Sequence, residues 1–187
     1  DLGSTKQKII EAVPESIRQN FIPAHPMAGT EYSGPTAAFS GLFKDAVVAI
    51  CDFKESGEMH VKRSVELFSH LGMKIIFMSA AEHDHHASVI SHLPHAISFS
   101  LASSVLKKEN KKNIIALSGT GFNGMIRIAK SSPVMWTDIF KQNKQNLINS
   151  IDLFKKELDE CENLIKNEQW DELREWMSEA RKIREIL

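Results

Sequence analysis

Residues 46–79 constrain this chain more than any other stretch. "AVVAICD" (46–52) is a β-branched, unbroken apolar run, the pattern of a strand buried on both faces. In the "GEMHVKRSVELFSHLG" that follows, Val61, Val65, Phe68 and Leu71 fall three or four residues apart. That spacing predicts an amphipathic helix, closed by Gly72. "MKIIFMS" (73–79) is the next strand. Strand, helix and strand in this order make a βαβ unit, two parallel strands joined by a crossover helix. After residue 79 the strand signals stop, and the shift in composition predicts a domain boundary there.

On the N-terminal side, "KQKIIEAV" has helical spacing with Ser4 as its expected cap, and "NFIPAHP" reads as a short strand entering a loop. Beyond residue 79, one long helical stretch is expected from Ala80 to about Lys108, kinked where Pro94 removes a backbone donor. "NIIALSGTGFNG" reads as a glycine-punctuated connection, after which a helix carries Met125, Ile126 and Ala129. Ser132 and Pro133 have the types expected at the cap and first turn of another helix. Residues 144–167 set Leu147, Ile148, Ile151, Phe154, Leu158, Cys161 and Ile165 on one face. Residues 168–187 do the same with Trp170, Leu173, Met177, Ala180 and Ile183. Both are apolar stripes with charged backs, suited to core or partner packing.

With 187 residues, 42% of them apolar, the chain can bury a real core. Its 23 basic and 24 acidic residues give a net charge of -1, which offers no electrostatic case for nucleic acid or an anionic membrane surface. No apolar run approaches the length of a membrane span, and no signal peptide is evident. Cys51 and Cys161 are far apart and outside metal or redox spacings, so both read as reduced thiols of a cytoplasmic protein. The opening "DLGSTK", without an initiator Met, suggests a processed or truncated product.

Four stretches concentrate polar chemistry. "DLGSTK" puts Ser4 and Lys6 at a strand-to-helix turn, where free amides favour an anion or a cap. "AHPMAGTEYSG" holds His25, Thr30 and Glu31 in a Gly/Pro-rich loop. A histidine there is either a solvated turn residue or a base able to take a proton from a substrate hydroxyl. "AEHDHHASVISHLPHA" crowds His83, Asp84, His85, His86, His92 and His95 together. This spacing fits no common zinc signature, and Pro94 disturbs the His92–His95 pair, so no metal is assigned. A solvated helix start accounts for His83, His85 and His86. His92 and His95 lie among Val89, Ile90, Leu93, Ala96 and Ile97, so they read as buried imidazoles that need partners. In "GTGFNGMIRIAKSSPVMW", Arg127 and Lys130 sit on an otherwise apolar helix. Arg127 suits either a structural salt bridge or a bidentate carboxylate clamp, and Trp136 could wall a pocket for an apolar ring. Together these residues point to a small anionic substrate without naming a reaction.

"HPMAGTE", "SHLPHA" and "RIAKSSPVMW", in this order, together with "DLGSTK", resemble the prephenate dehydrogenase family of tyrosine biosynthesis, and the resemblance covers essentially the whole chain. It implies an α/β remnant of a Rossmann domain over residues 1–79, followed by an all-helical substrate-binding and dimerisation domain over 80–187. The G-x-G-x-x-G turn of such a domain does not occur, and "GTGFNG" (119–124) lacks the preceding strand, so this stretch alone is expected to be inactive. The implied reaction passes hydride from the ring carbinol of prephenate to NAD, or NADP, and releases the ring carboxylate as CO2, giving 4-hydroxyphenylpyruvate. By the same resemblance His25 accepts the hydroxyl proton, while Ser4 holds His25 and, with Gly3, lies near the nicotinamide. Arg127 pairs with a substrate carboxylate; His95, His92 and Ser91 shape the pocket floor; Thr30 and Glu31 line or gate it; Trp136 packs around it. The family also implies a homodimer and a possible tyrosine feedback site. Asn123 and Gly124 depart from the family's basic and acidic pair, which leaves prephenate against arogenate open. The alternatives are a metal-dependent hydrolase using the histidines of 83–95, and a non-catalytic dimer module that binds an aromatic amino acid.

Overall fold

A computed structural model describes residues 1–30, 32 and 34–186. The chain opens with a turn that leads into a short helix α1 (Gln7–Glu11), and strand β1 spans Ala24–Pro26. Strand β2 (Val47–Cys51), helix α2 (Glu58–His70) and strand β3 (Lys74–Met78) form the expected βαβ unit. The sheet order is β1-β2-β3, with β1 antiparallel to β2 and β2 parallel to β3. Alternation along β2 divides its side chains between two layers. Val48 and Ile50 pack with Ala24, Phe68 and Met73, while Ala49 and Cys51 pack with Ala80, Ile10 and Met78. Gly72 ends α2 at φ +74, and the amides of Gly72 and Met73 bond the carbonyls of Ser69 and Phe68 in a Schellman turn.

Helix α3 (Ala80–Ala87) starts on a capping box. The Ser79 hydroxyl accepts from the Glu82 amide at 3.2 Å, and the Glu82 carboxylate accepts from the Ser79 amide at 2.8 Å. A π-helical turn over Ser88–His92 then joins it to α4 (Leu93–Lys108). The expected proline kink is replaced by this wider turn. Pro94 falls in the first turn of α4, where its missing N–H costs little, and the register change upstream absorbs the disruption.

The stretch Ala80–Lys108 is thus 29 continuous residues, and its most apolar window has a mean hydropathy of 1.3. By length and composition it could cross a membrane, which corrects the expectation that no run approaches that size. Its polar groups are those of a helix folded against protein: Asp84 bonds the Lys6 and Gln7 amides, and His92 bonds Asn143.

Helices α5 (Lys111–Leu117) and α6 (Thr120–Ile126) follow. "GTGFNG" is therefore mostly helix rather than a connection. Its glycines weaken the helix, but the Ser98 hydroxyl of α4 donates to the Met125 carbonyl at 2.7 Å and ties α6 down. After a 3-10 turn over Arg127–Lys130, Ser132 caps α7 (Pro133–Gln142) as expected, accepting from the Met135 amide at 3.4 Å. Helix α8 (Lys144–Lys166) and helix α9 (Trp170–Ala180) complete the order.

The chain divides into two compact units, Asp1–Leu147 and Ile148–Leu187. Residue 79 lies within the first, where the sheet meets its helices. In the second, Glu168 takes a left-handed conformation at the α8–α9 turn, Leu164 is buried, and the Trp176 indole N–H donates to Glu157 at 3.2 Å. Much of its apolar stripe stays exposed, including Leu158, Ile165, Trp170 and Met177.

Candidate active site

The site is built where β1, the opening turn and α3 meet. β1 is a three-residue strand whose Ala24 is buried and whose His25 is half-buried. His25 Nδ1 lies 2.8 Å from His83 Nε2, and His83 Nδ1 lies 2.8 Å from Asp84 Oδ1. Asp84 also receives the Lys6 amide on Oδ1 at 2.8 Å and the Gln7 amide on Oδ2 at 2.9 Å. Burial alone would raise this carboxyl, but the bonds from His83 and from the Gln7 and Lys6 amides outweigh it and hold it below its ordinary value.

These partners fix the tautomers. An ionised Asp84 only accepts, so His83 carries its proton on Nδ1 and accepts on Nε2. His25 must then donate from Nδ1, which leaves the lone pair on its Nε2 for chemistry. Burial pushes the His25 pKa down to about 3, with His83, Lys6 and His92 adding to the effect and Asp84 opposing it. His25 is therefore an unprotonated base across the neutral range.

This is not the support expected from sequence. His83 is expected on a solvated helix start, yet it and Asp84 are both buried. The N-terminus of α1 is capped by Asp84, far along the chain, and not by Ser4. His25 is held by His83, and the Ser4 side chain makes no hydrogen bond among the described residues. The missed signal is a helical stripe: Ala80, His83, Asp84, Ala87, Ser88 and His92 recur at helical spacing, and all are buried.

A second group surrounds Trp136, which α7 holds in the interior. His95 stacks on the indole with ring centroids 3.4 Å apart, and His92 meets it edge-on at 6.0 Å. His95 donates from Nδ1 to the Ser91 carbonyl at 2.9 Å, so Ser91 contributes through its main chain. Burial lowers the His95 pKa, the Ser91 carbonyl opposes this, and the nearby Arg127 adds to the lowering, which brings Arg127 to this side of the site. His92 is held by Asn143, whose Nδ2 donates to His92 Nδ1 at 3.1 Å and to the Asp84 main-chain carbonyl at 2.6 Å. Burial pushes the His92 pKa down to about 4. Its buried Nε2 has no well-formed hydrogen bond, although the Ser4 main chain is near enough to favour its charged form.

The remaining expected residues are less engaged. Thr30 is exposed, and its hydroxyl accepts from the Tyr32 amide at 3.3 Å within the loop. Glu31 lies outside the described residues. A Cβ on Gly3 would meet Ile9 Cδ1 at 2.8 Å and Asp1 Oδ1 at 3.0 Å, both side-chain ends that can shift. Among the described residues no group of three or more His, Cys, Asp or Glu side chains is arranged to hold a metal ion. Both ring nitrogens of His83 are already engaged in hydrogen bonds.

A strand-borne imidazole whose Nε2 lone pair is open, backed by a histidine and a buried carboxylate, has the geometry of a group that can take a proton from a hydroxyl. Residues 1–77 match the family model for the prephenate dehydrogenase nucleotide-binding domain, and residues 79–179 match that for its dimerization domain. The chain belongs to the prephenate dehydrogenase family. It is 32% identical over 190 residues to the prephenate dehydrogenase of Bacillus subtilis, an alignment covering all of this chain and 51% of that protein. The structure of an Aquifex aeolicus prephenate dehydrogenase in complex with hydroxyphenyl propionate and NAD+ superimposes with a TM-score of 0.89 at 33% identity, covering 98% of this chain and 65% of that one. A Synechocystis arogenate dehydrogenase gives a TM-score of 0.80 at 28% identity, covering 99% and 67%. The chain thus spans about half the length of the Bacillus relative.

Proposed function

We propose that this chain carries the catalytic base and substrate side of an NAD(P)-dependent dehydrogenase that converts prephenate to 4-hydroxyphenylpyruvate. Residues 1–79 belong to the dinucleotide side, and residues 80–187 to substrate binding and to pairing with a second copy. The observation that carries this reading is the His25–His83–Asp84 relay, which leaves a neutral base with an open Nε2.

Prephenate bears a ring hydroxyl on the carbon to be oxidised. His25 Nε2 takes the hydroxyl proton as hydride leaves that carbon. The charge gained by His25 spreads to His83 and is countered by Asp84. The bond to the ring carboxylate then breaks and CO2 departs. Its electrons make the ring aromatic, and His25 returns the proton to the same oxygen, so hydrogen and charge balance. When bound, a nicotinamide dinucleotide supplies the hydride acceptor. Ser4 fits that neighbour: it is half-buried on the opening turn, with a hydroxyl unused by the described residues. His95, stacked on Trp136, offers Nε2 to the substrate, and Arg127 nearby pairs with its side-chain carboxylate. Thr30, exposed on the loop after β1, lines the entrance.

Absorbance at the reduced-nicotinamide band tests the reading, using the protein in the form the cell makes it. Prephenate and arogenate are offered separately, each with NAD+ and NADP+. Reduction with prephenate supports the reading. Reduction with arogenate alone moves the specificity to Asn123 and Gly124. No reduction with any pair removes the activity and favours a binding module. Arg127→Ala should raise KM for prephenate by roughly 10–100-fold, the loss of a charge-assisted bond, with a smaller change in kcat. An unchanged KM would remove Arg127 from the carboxylate. The exposed stripe of Leu158, Ile165, Trp170 and Met177 suits a two-fold interface. Sedimentation equilibrium at micromolar concentration should return twice the chain mass, and a pure monomer would overturn the dimer.

A further inference from the structure

Lys6 is fully buried, which a lysine rarely is without a reason. Its ammonium forms an ion pair with Asp1 and donates to the Ala24 carbonyl at 2.7 Å, one residue before His25. Its own amide donates at 2.8 Å to Asp84 Oδ1, the oxygen that also receives His83. The two contacts close a circuit. It runs from Lys6 Nζ to Ala24, along the chain to His25, across to His83, on to Asp84, and back to the Lys6 amide.

We propose, resting on the dehydrogenase reading above, that Lys6 is a positioning residue: it clamps both ends of the relay at once, so that His25 Nε2 stays fixed in place. Neither end is self-supporting. β1 is only three residues long, and α1 has no cap of its own. Without the ammonium, the buried Ala24 carbonyl loses its donor at the residue that carries the base into place.

Charge acts in the same direction as geometry. Lys6 faces the Asp1 carboxylate, the Cys51 thiol, Asp84 and His25. The Cys51 thiol is pushed up to about 12 by burial, so it remains neutral beside the ammonium. Burial brings Lys6 down to about 8, with the Asp84 carboxylate opposing, so the ammonium persists through neutral pH. A cation this near disfavours a second positive charge on His25. Removing it should raise the His25 pKa by roughly one unit, as expected for a charge several ångströms away in a partly screened site.

The test uses Lys6→Gln, which keeps a donor without charge, Lys6→Met, which keeps neither, and Lys6→Arg, which keeps charge. Nitrogen NMR of the histidine rings reads the tautomer and titration of His25 without any turnover, and kcat and KM for prephenate are measured alongside. Both neutral variants should raise the His25 titration midpoint by about one unit. Lys6→Met should also lower kcat by roughly 10–100-fold with KM nearly unchanged, as for a misplaced catalytic group. Lys6→Arg should keep the wild-type titration and recover part of kcat. A His25 titration and kcat unchanged in the neutral variants would overturn the proposal. If neither neutral variant folds, Lys6→Arg decides: a lowered kcat with an unchanged titration supports positioning, and a wild-type kcat overturns it. Normal NMR behaviour with no turnover in any form would sink the dehydrogenase reading and leave the clamp standing.

Discussion

His25→Asn should lower turnover of prephenate by roughly 10²–10⁴-fold, the usual cost of losing a general base, while KM changes little. Asparagine is close to histidine in reach and can still donate to His83 Nε2, so β1 and its pairing to β2 survive. What disappears is the lone pair on Nε2. Hydride transfer would then have to leave a ring carbinol without the base that His25 Nε2 supplies. The measurement is steady-state kcat with saturating dinucleotide, with thermal melting to show that the variant is folded. Turnover within a few-fold of wild type would mean that the proton leaves by another route, and the relay would become a structural network.

Asp84→Asn should have an effect of similar size by a less direct path. The Asp84 carboxylate accepts three hydrogen bonds and donates none. An amide in its place sets an N–H group against at least one of those donors. With its nitrogen in the place of Oδ1 it faces His83 Nδ1, keeps the Gln7 amide on its oxygen and loses the bond from the Lys6 amide. His83 would then accept on Nδ1 and carry its proton on Nε2, and His25 would have to accept on Nδ1 and carry its proton on Nε2. The inversion passes through two rings and blocks the base, although nothing in contact with substrate has changed. A loss in kcat of roughly 10²–10⁴-fold is expected, the range for disabling a general base, together with some loss of thermal stability from the weakened cap. Ring-nitrogen NMR should show His25 protonated on Nε2. A slow variant that keeps the wild-type His25 tautomer would rule out this mechanism.

The sequence makes the sheet legible because its signals are local. β2, α2 and β3 follow from the apolar run, the helical spacing and Gly72, each read within a few residues. His25 and Arg127 also stand out, as polar groups in segments with little structural need for them. The relay is not legible in the same way. Asp84 caps a helix 77 residues earlier in the chain, and no local rule joins it to Gln7. His83 looks like its exposed neighbours His85 and His86 until the helical stripe from Ala80 to His92 is traced. Asn143 is hidden for the same reason, since its one amide nitrogen serves both the Asp84 carbonyl and His92. Glycine content misleads at 119–124, where packing against α4 outweighs local preference. Pro94 announces a disruption correctly but not its form.

The π turn at Ser88–His92 sets the angular phase between two walls of the site. His83 and Asp84 lie before it, and His95 lies after it. Each residue of a regular helix advances the side-chain direction by about 100°. Deleting one residue in this turn would leave a longer, more regular helix of almost the same composition. A π turn takes one more residue than an α turn for about the same rotation, so that deletion would leave the phase of the flanks nearly unchanged, whereas deleting a residue from the α turns on either side would swing His95 away from Trp136 while His83 stayed against His25. A change of length outside the π turn would therefore unlock the base from the Trp136 wall in a single step, while exchange of the exposed side chains along the helix would leave both walls in register.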